Sequence, residues 1–303
     1  MEKGEIKKNL IAIVGNDGLL TDTLMRDHTS FRVGGAADFL VLPETPEQLT
    51  AVLAFCRKSG EPFYLMGNGS NLLVRDGGYR GIMIKTRAMD AISVKGTQLS
   101  IEAGAMLRKA AAVALDHHLS GMAFASGIPG SVGGAVVMNA GAYGGEMQDI
   151  VESIEVVTER GEYKKIPGNA CHFGYRKSII QENPWTILRI NLGLSPGDYN
   201  TIKSEMDDFN RRRREKQPLD MPSAGSTFRR PEGFFAGKLV QDAGFKGYRV
   251  GGAQVSEKHS GFVVNAGGAT AEDILTLIKT IQDGVKKQFG VELKTEVIVI
   301  GEV

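Results

Sequence analysis

ASGIPGSVGGAVVMNAGAYGG, residues 125–145, is the stretch on which the reading of this chain turns. It holds seven glycines and no charged side chain. Glycine admits positive φ and close backbone approach, at an entropic cost on folding. A solvent linker would favour Ser, Lys and Glu; this run carries Ile128, Pro129, Val132, Val136, Val137 and Met138 instead. The pattern predicts buried backbone whose N–H groups face a bulky anionic ligand, as in phosphate-binding nests.

Working outward, MLRKAAAVALDHHLSG (106–121) reads as a helix stopped at Gly121, and 90–103 as a hairpin turning at Gly96. Downstream, SIEVVT (153–158) and EYKKI (162–166) form a second hairpin through ERGE, and WTILRINLGL (185–194) is a further strand. Toward the N-terminus, residues 5–20 read as a short helix ending near Gly15 or Gly18, and FLVLP (39–43) as a buried strand. Thr45 caps a helix with Pro46 in its first turn and Gly60 as its stop. Then come strand 62–66, a glycine loop over 67–78 and strand 81–85. Beyond Ser195-Pro196-Gly197 the composition shifts. A polar helix (199–216) carries four consecutive arginines, followed by helix 236–244, strand 261–265, a long helix over 271–290 and a last strand 296–301.

Length and composition narrow the classes. The chain has 303 residues, 42% hydrophobic and 23% charged, the balance of an ordinary globular protein. A net charge of +1 gives no global field for nucleic acid or an anionic membrane. Glycine is in excess, 39 of 303, without a collagen-like period. Cys56 and Cys171 lack CxxC spacing, and His28, His117, His118, His172 and His259 are scattered, so no metal site is expected. No apolar run is long enough to span a bilayer and no signal peptide is evident, which predicts a soluble cytoplasmic protein.

Standard nucleotide motifs fail on detail. GNGSNL (67–72) has Leu72 where GxGxxG needs its third glycine, and Arg75-Asp76-Gly77-Gly78 breaks the helix such a site requires. GFFAGKL (233–239) is one residue short of a P-loop and ends in leucine. Ser226 in AGSTF does not fit a nucleophile elbow, and its plain reading is a turn serine. Glu296 reads as a charged strand end and Arg176 as a surface arginine. The run 211–214 is either a solvated helix end or a ligand for a phosphorylated small molecule, with nucleic acid as the rival use. What remains is two glycine-rich loops, at 67–71 and 127–134, able to clamp a pyrophosphate with backbone amides.

In chain order, the motifs HTSFRVGGAAD (28–38), GNGSNLLVRD (67–76), SGIPGSVGGAVVMNAGAYG (126–144), FGYRKS (173–178), AGSTFRRP (224–231), AGKLVQDAG (236–244), GGAQVSEKHSGFVVN (251–265) and LKTEV (293–297) together resemble the bacterial UDP-N-acetylenolpyruvoylglucosamine reductases, MurB. The shorter subclass, lacking an inserted tyrosine loop after Ser178, is the nearer match. The resemblance implies an α+β protein. A two-lobed FAD-binding fold of the vanillyl-alcohol-oxidase (PCMH) type, in lobes 1–86 and 87–195, would precede a C-terminal α+β substrate-binding domain, 196–303.

It also implies chemistry. NADPH would reduce a non-covalent FAD, since the first glycine loop lacks the histidine that tethers flavin in some relatives of this fold. Hydride from flavin N5 would then reduce UDP-N-acetylglucosamine enolpyruvate to UDP-N-acetylmuramate for peptidoglycan. The resemblance assigns Arg176 and Glu296 to the enolate-like charge and Ser226 to the final protonation. Its FAD contacts fall on Arg32, Gly67, Asn68, Gly69, Ser70 and Asn71, and on Gly127, Ile128, Pro129, Gly130, Ser131, Gly134 and Asn139. Lys216, helped by Arg213, would hold the substrate diphosphate. The alternatives are another FAD-dependent oxidoreductase of the same fold, and a nucleotide-sensing or RNA-binding protein using 211–214. The latter would show salt-sensitive nucleic-acid affinity and no yellow colour.

Overall fold

Thr45, Pro46 and Gly60 mark out their helix as the sequence predicts. Thr45 Oγ1 accepts from the Gln48 N–H at 3.2 Å, Pro46 fills the first turn, and Gly60 ends the helix at φ 70°. A computed structural model describes residues 1–303, which divide into two compact units. The first comprises Met1–Leu20, Leu40–Asn68 and Ile82–Arg213; the second comprises Thr21–Phe39, Gly69–Gly81 and Arg214–Val303. Seven helices run along the chain: α1 (Lys3–Val14), α2 (Pro46–Ser59), α3 (Leu107–Asp116), α4 (Val132–Val137), α5 (Tyr199–Lys216), α6 (Ala236–Asp242) and α7 (Ala271–Phe289). No helix is long and apolar enough to cross a membrane.

The first unit centres on a five-stranded sheet in the order Tyr163–Pro167, Val151–Val157, Thr186–Gly193, Gln98–Glu102 and Ile92–Lys95, antiparallel throughout. Its core joins Leu99, Ile101, Ile154, Val156, Ile190 and Leu192 from the sheet to α3 and α4. The buried positions of α3 are Leu107, Ala110, Ala111, Ala114 and Leu115, the i, i+3, i+4 stripe of a helix packed on one side. α4 lies closer still: a Cβ on Gly133 would stand 2.8 Å from the Ala103 carbonyl oxygen, so only glycine fits there. Both cysteines are buried and unpaired; burial pushes the Cys56 thiol up to about 12 and that of Cys171 to about 11, which makes them inert core residues.

The second unit wraps α6 and α7 around a small antiparallel sheet, Arg249–Val250, Ala253–Val255 and Val263–Asn265. α7 buries Ile274, Leu277, Ile278, Ile281 and Val285. It starts in a capping box: Thr270 Oγ1 accepts from Asp273 N–H and the Asp273 carboxylate accepts from Thr270 N–H, both at 3.0 Å. Phe31, Val33 and Leu73 join this core, which is why segments far from the C-terminal region in sequence belong to it.

Local departures from the sequence reading have simple causes. The first helix ends at Gly15 and residues Leu19–Leu24 form a strand, its alternating burial disguised by a run of polar residues. Inside the loop expected over 67–78, Leu72–Val74 is a strand, paired in parallel with Ile298–Ile300. Three residues with a partner at the far end of the sequence leave almost no periodic signal.

Candidate active site

In the first unit the central stretch enters α4 at Ser131, whose Oγ accepts from the Gly134 N–H at 3.2 Å. Val132 and Gly133 donate to the carbonyls of Ala105 and Ala103 at 2.8 and 2.9 Å, and the Gly130 carbonyl accepts from Leu107. The expectation that the amides of this run point at a ligand is therefore corrected for these three. A helix start needs acceptors for its first N–H groups, and here a serine cap and neighbouring carbonyls supply them. The glycines contribute space. A Cβ on Gly67 would lie 2.1 Å from Ser131 Oγ, and one on Gly127 would lie 2.5 Å from Asn210 Oδ1. Asn68 Nδ2 donates to the Pro129 carbonyl at 2.8 Å, which fixes the first residues of loop 67–71 against loop 127–134. Ile128 is half-buried beside them and packs on the core.

Arg176 sits in a tight turn, closed by reciprocal backbone bonds between Gly174 and Lys177, at φ 56°. Its guanidinium lies 5.2 Å from the centre of the Tyr175 ring. Asn139 supports this turn. It is 1% exposed, its Nδ2 donates to the Gly174 carbonyl at 3.2 Å and to Glu146 at 3.1 Å, and its Oδ1 accepts from Gln148 N–H at 2.9 Å. Arg32, Asn139 and Arg176 all adopt positive φ (54°, 40° and 56°), a conformation uncommon for non-glycine residues and concentrated at functional sites.

Arg213 is half-buried on α5, and burial pulls its guanidinium below the ordinary arginine value. Its Nε is buried without a hydrogen-bond partner, and its Cδ would stand 3.1 Å from a Cβ on Gly127. A buried cationic donor left open beside a glycine turn fits an anionic group such as a diphosphate. The remaining arginines of the run differ: Arg211 and Arg212 both pair with Asp208 on the same helix face.

In the second unit, backbone pairing unites two of the residues singled out from sequence. The Glu296 N–H donates to the Thr227 carbonyl at 2.9 Å, and Phe228 bridges Thr295. Thr227, 1% exposed, also donates its N–H to Gly261 at 2.8 Å and accepts from Val263 N–H through Oγ1 at 2.9 Å. Ser226, next to it, is exposed, and Gly225 at φ 77° makes the turn that presents it. Thr227 was not among the residues singled out from sequence, because its burial beside exposed Ser226 exists only in the fold.

The rest of the first loop belongs to this unit. The Gly69 carbonyl accepts from Ser30 N–H at 3.1 Å, Ser70 is half-buried, and Asn71 Nδ2 donates to the Glu296 carbonyl at 3.1 Å. Arg32 is exposed, and its carbonyl accepts from Asn265 Nδ2 at 3.4 Å. Lys216 is exposed at the end of α5. On either side of it in sequence, Arg214 and Pro218 line a cavity of about 610 Å³ with Leu219, Met221, Gln254 and Lys258. Asp220 and Glu257 also line it, so apolar, cationic and acidic side chains share its walls. Thus Ser226, Glu296 and Asn71 are brought together, whereas Arg176 belongs to the other unit.

Comparison with known proteins agrees with these local features. Residues 37–166 match the FAD binding domain model, and residues 217–300 match that of the UDP-N-acetylenolpyruvoylglucosamine reductase C-terminal domain. The UDP-N-acetylenolpyruvoylglucosamine reductase of Caldanaerobacter subterraneus subsp. tengcongensis is 52% identical over 278 residues, 92% of each chain. The crystal structure of the Thermus caldophilus reductase superposes with a TM-score of 0.79 at 35% identity, covering 91% of this chain and 97% of that one. An alkyldihydroxyacetonephosphate synthase structure, 18% identical with a TM-score of 0.50 over 64% of this chain and 40% of its own, shares the fold alone. The fold is therefore α+β, a PCMH-type FAD-binding region followed by a C-terminal α+β domain. With half its residues identical over nine-tenths of its length, the chain belongs to the UDP-N-acetylenolpyruvoylglucosamine reductase family of FAD-dependent oxidoreductases.

Proposed function

We propose that this enzyme reduces UDP-N-acetylglucosamine enolpyruvate to UDP-N-acetylmuramate with NADPH as the hydride donor, in the cytoplasm. The observation that carries the reading is the pairing of the Ser226 and Glu296 segments through Thr227, which supports their acting on one substrate. FAD, when bound, accepts hydride from NADPH and delivers it to the enolpyruvyl double bond. We assign its binding to the backbone of the loops 67–71 and 127–134, with Arg32 as a further contact; Asn139, buried with its amide fully hydrogen-bonded, holds the Arg176 turn instead.

Hydride addition at one alkene carbon leaves an electron pair on the carbon beside the carboxylate. Arg176 and Glu296 stabilise that developing enolate with a cation and a hydrogen bond. Ser226 then gives its hydroxyl proton to this carbon and is reprotonated from water. A serine is a weak acid, so the step relies on a strongly basic carbon held close to it. Lys216, assisted by Arg213, meets the diphosphate. The cavity beside Pro218 and Gln254 supports placing the uridine end there. In functional terms we assign 1–86 and 87–195 to the cofactor and 196–303 to the substrate.

The test is NADPH oxidation by the purified yellow protein with and without UDP-N-acetylglucosamine enolpyruvate. Turnover that depends on this substrate supports the assignment; a yellow protein idle toward it refutes the substrate while leaving the fold intact.

A further inference from the structure

Ser30, within the motif HTSF, has no part in the chemistry above, and Asn71 was assigned to the cofactor only as one loop position among several. In the second unit both are tied to the reacting groups. Asn71 Nδ2 donates to the Glu296 carbonyl at 3.1 Å, and the Asn71 carbonyl accepts from Ile298 N–H at 3.0 Å. Glu296 is thus held on both sides of its Cα: its N–H by Thr227, the neighbour of Ser226, and its carbonyl by Asn71. Ser30 makes a second tie. Its Oγ donates to the Ser223 carbonyl at 2.6 Å, three residues before Ser226, while its N–H donates to the Gly69 carbonyl at 3.1 Å.

We propose that Asn71 and Ser30 are positioning residues that lock residues 69–71 of the first glycine loop to the Ser226 turn and the Glu296 strand, and that the Asn71 side chain serves Glu296 instead of the cofactor. The proposal rests on the reductase reading. The physical argument is geometric. Glu296 follows a single bridged pair, Phe228 and Thr295, and without Asn71 its carbonyl loses the side-chain bond that ties it to the loop. A displacement of about 1 Å at a reacting group costs on the order of a hundredfold in rate. Asn71 sits where loop meets strand, so an error there moves Glu296 directly. Ser30 acts three residues upstream of Ser226, where Gly225 at positive φ can absorb part of the change. Its effect is the smaller of the two.

The experiment uses the FAD-loaded full chain and the variants Asn71→Asp, Ser30→Ala and Ser30→Thr. FAD affinity is read by quenching of flavin fluorescence. Flavin bleaching by NADPH and its recolouring by UDP-N-acetylglucosamine enolpyruvate are followed as separate half-reactions across pH. Asn71→Asp replaces the amide donor by an acceptor of equal size. It should slow recolouring by about ten- to a hundredfold while FAD affinity and bleaching stay within about twofold. Ser30→Ala should slow recolouring by a few-fold, and Ser30→Thr, which keeps the hydroxyl, should restore it.

Asn71→Asp weakening FAD binding with normal recolouring would make its side chain a cofactor ligand and overturn the proposal. Equal slowing of both half-reactions would reduce the ties to general scaffolding and overturn it too. If Asn71→Asp does not fold, the Ser30 pair decides by the same measurements. A wild-type enzyme that bleaches with NADPH but is not recoloured by the substrate defeats the reductase reading and this inference with it. Wild-type recolouring matched by all three variants defeats the inference alone.

Discussion

Asn139 and Asn71 occupy comparable places in the two units, each within a glycine-rich segment, yet they are held differently. Asn139 is buried, and its amide group makes three hydrogen bonds, two within 139–148 to Glu146 and Gln148 and one to Gly174 of the Arg176 turn. Asn71 is half-buried, and its side chain makes one bond, to the Glu296 carbonyl. The first region is rigid through packing and polar saturation. The second is assembled from short strand pairings among segments distant in sequence. The contrast teaches that one residue type, met twice beside glycine loops, makes a saturated buried tie in one unit and a single side-chain tie to the Glu296 strand in the other.

Four changes would break or sharpen that contrast. Ser226→Ala should be the most severe for catalysis. General acid catalysis contributes about 10²- to 10⁴-fold, so recolouring of the reduced flavin by substrate should fall by that order while bleaching by NADPH persists. Equal loss of both half-reactions would remove the serine from the protonation step.

Asn139→Ala should be the most severe for stability. It removes three part-buried hydrogen bonds, each worth about 0.5–1.5 kcal/mol net. A loss of about 3 kcal/mol in urea unfolding is expected, and a variant as stable as the parent would contradict the role of that tie. Lys216→Ala, at an exposed position, should leave stability alone and raise the substrate KM about tenfold, the equivalent of about 1.4 kcal/mol of binding. An unchanged KM would separate Lys216 from the diphosphate.

The smallest effect is one of pH. Burial lowers the His259 pKa from its ordinary 6.5, and its Nδ1 accepts from Gly261 N–H at 3.0 Å, which requires an unprotonated nitrogen. The unfolded chain then binds the proton more readily than the folded one. Stability contributed by the neutral ring is whole above about 6.5 and declines as pH falls from there toward the lowered folded value. His259→Gln should flatten the melting-temperature profile below about pH 6.5; a parallel profile would assign the slope to other groups.

Much of the first unit was legible because its signals are local. Thr45, Pro46 and Gly60 bracket α2, Gly96 turns its hairpin at φ 61°, and α5 spans the residues 199–216 predicted for it. The second unit was legible in its C-terminal helices and opaque elsewhere. Nothing local tells Phe31, Val33 or Leu73 that their core partners lie beyond residue 220. The site divides in the same way. Ser226 and Glu296 stand in motifs, whereas the partner of an asparagine amide is chosen by tertiary contacts. For that reason Asn71 and Asn139 read alike in the sequence and differ in the structure.

The parallel pairing of Leu72–Val74 with Ile298–Ile300 has a consequence for biosynthesis. A nascent chain emerges N-terminus first, and segments fold as they become available. The strand that leaves the first glycine loop must wait for more than two hundred further residues before its partner exists. Until then Leu72, Leu73 and Val74, all buried in the finished protein, present an open apolar edge. Closure of that edge therefore waits on residues 298–300, and until they are available a chaperone, or a second nascent chain, can occupy it.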